Sequence, residues 1–108
     1  MTDTNIKAGP YSIGSDQWPG LSRLIEEAGE VLQVAGKIIG GGGAGVHYDG
    51  TDLAVALCDE VADLQAAIAY FKAHSVAYAQ RRTELNRRTE AKFVQYQRWH
   101  HEAVTSHD

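Results

Sequence analysis

Two short acidic clusters, Glu26-Glu27-Ala28-Gly29-Glu30 and Asp59-Glu60-Val61-Ala62-Asp63, lie inside the two most apolar stretches of this chain. An acidic side chain is hardest to accommodate in such surroundings. Glu27 and Glu30 are three residues apart, as are Glu60 and Asp63, so on α-helices each pair projects from one face about a turn apart. Two such helices packed together converge four carboxylates. Unpaired, those charges repel and lose solvation, and a hard cation such as Mg²⁺ is the natural partner that joins them.

The elements that must position these acids follow from hydrophobic spacing. Between Pro19 and Ile39 the apolar residues Leu21, Leu24, Ile25, Ala28, Val31, Leu32, Ala35, Ile38 and Ile39 repeat at close to three and a half residues, which predicts an amphipathic helix with a bundle-type seam. Gly40 to Gly43, with Gly45 and Gly50, end it in a flexible connection. Thr51 or Asp52 caps a second helix from Leu53 to about Ala73, apolar almost all round except for Asp59, Glu60, Asp63 and Gln65. Such a helix belongs in the middle of an assembly, and its many alanines permit close approach of neighbours. His74-Ser75 suggests a turn, and a third, basic helix is expected from there to about His101. The expected architecture is all-α: about three main helices per chain, with a four-helix-bundle core completed by oligomerisation. Residues 1–17 read as an N-terminal arm or loop, 18–102 as the helical domain, and 103–108 as a frayed tail.

At 108 residues the chain supports one domain with a modest core, so burial against a second copy helps it. Its 14 acids against 10 Lys and Arg give a net charge of −4 and argue against a stable nucleic-acid complex. Cys58, the only cysteine, excludes an intrachain disulfide and a Cys-based zinc site. Its apolar neighbourhood predicts a small core residue rather than a nucleophile. The N-terminus has no signal pattern, and no apolar run is long enough for a bilayer, so a soluble cytoplasmic protein with no membrane association is expected.

Gly40 to Gly45 invites comparison with a phosphate-binding loop but lacks the Gly-Lys-Ser/Thr ending, and it reads as a connector. Arg81, Arg82, Arg87 and Arg88 suit either a solvated helix face paired with Glu84 and Glu90 or a phosphate contact. Beside a metal-binding acid cluster the second role is favoured, because polyphosphates need both kinds of charge compensation. His47, His100, His101 and His107 carry no motif and are given no role.

The words Leu24-Ile25-Glu26-Glu27-Ala28-Gly29-Glu30-Val31 and Asp59-Glu60-Val61-Ala62-Asp63-Leu64 resemble the two signature helices of the all-α nucleoside triphosphate pyrophosphohydrolases. This MazG-like superfamily includes dimeric dUTPases, dCTP pyrophosphatases and phosphoribosyl-ATP pyrophosphatases. Leu85-Asn86-Arg87-Arg88 is similar to the segment with which these enzymes hold nucleotide. The resemblance spans roughly residues 18–90, with two departures: the glycine loop lengthens the interval between Glu30 and Glu60, and Arg82 stands where many relatives carry lysine.

What the resemblance implies is Mg²⁺-dependent hydrolysis, with Mn²⁺ a substitute, of a nucleoside triphosphate to monophosphate and pyrophosphate. Glu27, Glu30, Glu60 and Asp63 hold metal, and Glu26 completes the shell or helps activate water. Asn86, Arg82, Arg87 and Arg88 contact substrate. Lys37, seven residues beyond Glu30, adds a phosphate contact or is merely solvated, and Trp18 stacks on a base or packs in the core. A homodimer or a dimer of dimers is implied. The alternatives are a non-catalytic helical module that binds nucleotide or a protein partner, and a pyrophosphatase with a specialised substrate such as phosphoribosyl-ATP.

Overall fold

The computed structural model describes residues 10–106. The expectations for an N-terminal arm over 1–9 and for His107 fall outside the described residues. Four helices and no strand occur among the described residues: α1 Leu21–Gly40, α2 Leu53–His74, α3 Val76–Gln80 and α4 Arg82–Thr105. The all-α expectation holds. The chain divides after Ser75 into two compact units, the first built on α1 and α2 and the second on α3 and α4.

In the first unit, α1 and α2 form an antiparallel helical hairpin. Along α2 the residues Leu53, Leu57, Glu60, Leu64 and Ala67 alternate at steps of three and four, and all are buried or half-buried. Along α1, Leu24, Ala28, Val31, the adjacent pair Val34 and Ala35, and Ile38 form the facing stripe, all buried or half-buried. Val34, Leu53 and Ala67 are the buried helical apolar side chains among the described residues, and Pro19 is buried ahead of α1. Glu60 therefore occupies a seam position that the periodicity would otherwise assign to an aliphatic residue.

Both hairpin helices begin where local chemistry favours it. Asp52 accepts a hydrogen bond from the Val55 amide at 3.1 Å, capping α2 as its sequence predicts. α1 starts differently, after Gly20 in the left-handed region at φ 72°, where a Cβ would lie 2.8 Å from the Tyr70 ring. Residues 10–20 are turns rather than slack chain. The Tyr70 hydroxyl donates to the Ile13 carbonyl at 3.2 Å, and the Gly20 amide donates to the same carbonyl at 3.2 Å.

Three expectations are corrected. The basic segment is not one helix. Arg81 takes a non-helical conformation after a tight Tyr78 carbonyl to Arg81 amide bond of 3.1 Å, and α4 restarts with the Leu85 amide donating to Arg81 at 2.8 Å. α4 then continues past His101 to Thr105, so residues 103–105 are helical. Cys58 is exposed, not core: it lies on the side of α2 that α1 does not cover.

The same geometry leaves a second apolar stripe open on α1. Ile25, Leu32 and Ile39, spaced by sevens, are 65%, 71% and 79% exposed. One partner helix covers only one side of a wide apolar face. No helix among the described residues is long and apolar enough to cross a membrane.

Candidate metal centre

Pairing α1 with α2 brings the two acidic motifs to the same level of the hairpin. One carboxylate oxygen from each of Glu27, Glu30, Glu60 and Asp63 lies within 4.8 Å of the others. Asp63 is exposed and the other three are half-buried. The spacing of three within each helix sets the pairs, and the antiparallel crossing sets their convergence.

The electrostatic consequences are visible in the acids themselves. Glu60 is pushed up to about 7, first by a hydrogen bond with the Glu30 carboxyl, then by loss of solvation and the nearby charges of Glu30, Asp63 and Glu27. Glu27 is also raised, by loss of solvation and then by Glu30, Asp63 and Glu26, with Arg23 opposing. One oxygen of Glu27 and one of Glu60, Oε1 in both cases, are closed off from solvent without a hydrogen-bond partner. Orphaned carboxylate oxygens are costly, and both belong to members of an all-oxygen set of donors. That set suits a hard divalent cation, which takes oxygen ligands, better than a softer metal that prefers nitrogen or sulfur.

Glu26 lies outside this group. It is exposed and forms an ion pair with Arg23 one turn earlier on α1. Lys37 is also exposed, two turns from Glu30 at the loop end of the hairpin. There it shares an open hollow of about 290 Å³ with His47, Tyr48 and Leu53. The glycine loop is a helix stop and not a phosphate cradle. The Gly41, Gly42 and Gly43 amides donate at 3.0, 3.0 and 2.8 Å to the carbonyls of Lys37, Ile39 and Ile38, so the end of α1 consumes them.

Asn86, Arg82, Arg87 and Arg88 lie exposed on α4 in the second unit. They do not share one face. Arg82 and Arg87 line a polar hollow of about 330 Å³ with Arg81 at the junction of α3 and α4, whereas Arg88 lines a different surface with Lys92 and Arg98. Arg82 sits over the Tyr78 ring at 5.5 Å, and Arg81 bonds Glu84 at 3.0 Å, the helix-face pairing that the sequence allows. Trp18 is 43% exposed with its backbone amide held by Ser15, so core packing does not account for it within this chain.

His47 and Tyr48 are the residues that sequence reasoning passed over. The signal was present in the loop's punctuation, a glycine run followed by Asp49-Gly50, which marks a second tight turn and places the residues between them at its tip. Compared with family models, curated proteins and solved structures, the chain matches none.

Proposed function

We propose that this protein is a Mg²⁺-dependent nucleoside triphosphate pyrophosphohydrolase. The observation that carries the reading is the convergence of Glu27, Glu30, Glu60 and Asp63 in the seam of a helical hairpin, with two carboxylate oxygens left unpartnered. A stable fold gains nothing from crowding acids at a seam position unless a cation or a reaction uses them. The resemblance of the two acidic motifs to the all-α pyrophosphohydrolases supports the choice of reaction.

In this reading the four carboxylates hold Mg²⁺, and the bound ion supplies charge compensation for the triphosphate and polarisation of the reacting phosphate. A water oxygen bonds to one phosphorus of the α–β anhydride, the bridging bond to that phosphorus breaks, and monophosphate and pyrophosphate are the products. The water's proton passes to a carboxylate. Glu26 suits this role, being exposed beside the cluster and tied only by a surface ion pair with Arg23, which is worth little. The side chains of Asn86, Arg82, Arg87 and Arg88 bind and orient phosphate or sugar, and the protein acts as a homodimer or dimer of dimers.

A panel of nucleoside triphosphates, incubated with and without Mg²⁺ and resolved by product chromatography, tests this. Monophosphate and pyrophosphate in equal amounts, only with the metal, are expected. Release of orthophosphate from the γ position in their place overturns the reading.

A further inference from the structure

We propose that the hollow at the loop end of the α1/α2 hairpin, walled by Lys37, His47, Tyr48 and Leu53, seats the nucleobase of the bound nucleotide. The inference rests on the nucleotide reading of the carboxylate cluster and extends it to a part of the chain outside both acidic motifs.

Position is the first argument. Lys37 is seven residues after Glu30 and Leu53 seven before Glu60, so both lie on the faces that carry the acids, about 10 Å along the helix axes. That separation matches the reach from a nucleotide's phosphates to its base. The second is the shape and chemistry of the walls. Leu53 and Ala44 give an apolar floor, and the His47 and Tyr48 rings stand 4.3 Å apart at 53° to one another. Tyr48 is 94% exposed, leaving a ring face open to a planar ligand. Aromatic rings of this kind are sequence-tolerant stacking platforms for bases.

The platform is also held in place. Val46 and Asp52 form an isolated antiparallel bridge, the His47 amide donates to the Thr51 carbonyl at 2.9 Å, and the Leu53 amide donates to Gly45 at 2.8 Å. The Asp49 carboxylate accepts from the Thr51 amide at 3.1 Å, and Gly50 turns the chain at φ 89°. Tyr48 thus sits at the tip of a fixed turn. A phosphate is the wrong occupant. The Gly41, Gly42 and Gly43 amides are spent on the carbonyl end of α1, the Leu53 and Val55 amides at the start of α2 donate to Gly45 and Asp52, and the ionised Asp49 lies close enough to Lys37 and His47 to be held down by both, after its Thr51 hydrogen bonds. A neutral flat ring fits those surroundings.

The test uses the full chain and two probes: nucleoside 5′-monophosphates, and pyrophosphate with Mg²⁺. Monophosphates are expected to shift the backbone amide resonances of residues 44–53, and Tyr48→Ala to weaken their binding about tenfold while Tyr48→Phe retains it. Pyrophosphate with Mg²⁺ should bind the parent and Tyr48→Ala alike, showing that the exposed substitution leaves the hairpin intact. If Tyr48→Ala binds monophosphates as the parent does, or if no monophosphate moves the loop amides, the base site is wrong even where triphosphates are hydrolysed. Loop shifts that vanish in Tyr48→Ala, in a protein that turns over no triphosphate, uphold the base site and overturn the hydrolase reading alone.

Discussion

Glu60 of α2 and Glu30 of α1 bring their carboxylates together across the hairpin seam, within 4.8 Å of each other, and Glu60 is pushed up to about 7 by its contact with Glu30, by loss of solvation and by the neighbouring charges. Carboxylates crowded this closely repel one another when all are ionised, so the most strained of them keeps its proton longest. In the metal-free protein near neutrality, the seam is therefore partly neutralised by a proton where a cation would otherwise sit.

Stability of the metal-free protein should fall as pH rises through the interval set by that shift. Below its ordinary value of 4.5 Glu60 is protonated in both folded and unfolded chains and contributes no slope. Between 4.5 and about 7 the folded chain holds the proton that the unfolded chain has lost, so unfolding releases it and higher pH favours unfolding. Thermal melts in a chelator across this range should show the decline, and Glu60→Gln should flatten it. An unchanged slope in Glu60→Gln would place the titration elsewhere.

Mg²⁺ should reverse the penalty. A cation that binds only the folded chain stabilises it by about 2.7 kcal/mol at a hundredfold excess over its dissociation constant. The parent's melting temperature should therefore climb with Mg²⁺, whereas Glu60→Gln should start as stable as the parent or more so and show no climb. The same variant should lose turnover. Parallel Mg²⁺ responses in the two proteins, with activity retained, would rule out the carboxylate site.

The open stripe of Ile25, Leu32 and Ile39 predicts association between copies. Gly29 and Gly36 interleave with these residues, and added Cβ atoms there would meet nothing within 4 Å, so a second helix has room to approach closely. With so few buried apolar side chains among the described residues, a single chain also has little core to stand on. Light scattering at micromolar concentration should report a dimer or tetramer, and Leu32→Asp should shift it toward smaller species. A well-folded parent monomer contradicts the prediction and removes any site shared between subunits.

Asn86→Ala and Arg88→Ala separate substrate binding from structure. Both residues are exposed on α4, so each change should cost about 0.5 kcal/mol of stability or less. A charge-assisted phosphate hydrogen bond is worth about 1.5–3 kcal/mol, so Arg88→Ala should raise KM for triphosphate by about tenfold or more with melting unchanged. Asn86→Ala should weaken substrate use more than the Mg²⁺-dependent rise in melting temperature. Parent-like kinetics in both would make α4 structural only.

The hairpin and its acids were legible because they depend on local rules. The aliphatic repeat from Leu21 to Ile39, the cap at Asp52 and the spacing of three between paired acids are properties of a helix before it packs. Other features were not legible, for definite reasons. Nothing local marks the break at Arg81, where neither Gly nor Pro stands and one tightened hydrogen bond makes the interruption. Cys58 sits among apolar neighbours in sequence, but which side of α2 is covered depends on α1.

What the sequence by itself determined is that two helices carry paired carboxylates in an all-α chain, since periodicity and charge spacing need no partner. Only the tertiary structure decided that the two helices align at the level where Glu27, Glu30, Glu60 and Asp63 meet. It also decided that Glu60 falls in the seam itself, and that His47 and Tyr48 stand at the end of the same hairpin as the acids. The reason is rotational and axial register: which side of α1 faces α2, and which levels align, are set by side-chain packing across the seam and by the turn that joins the helices.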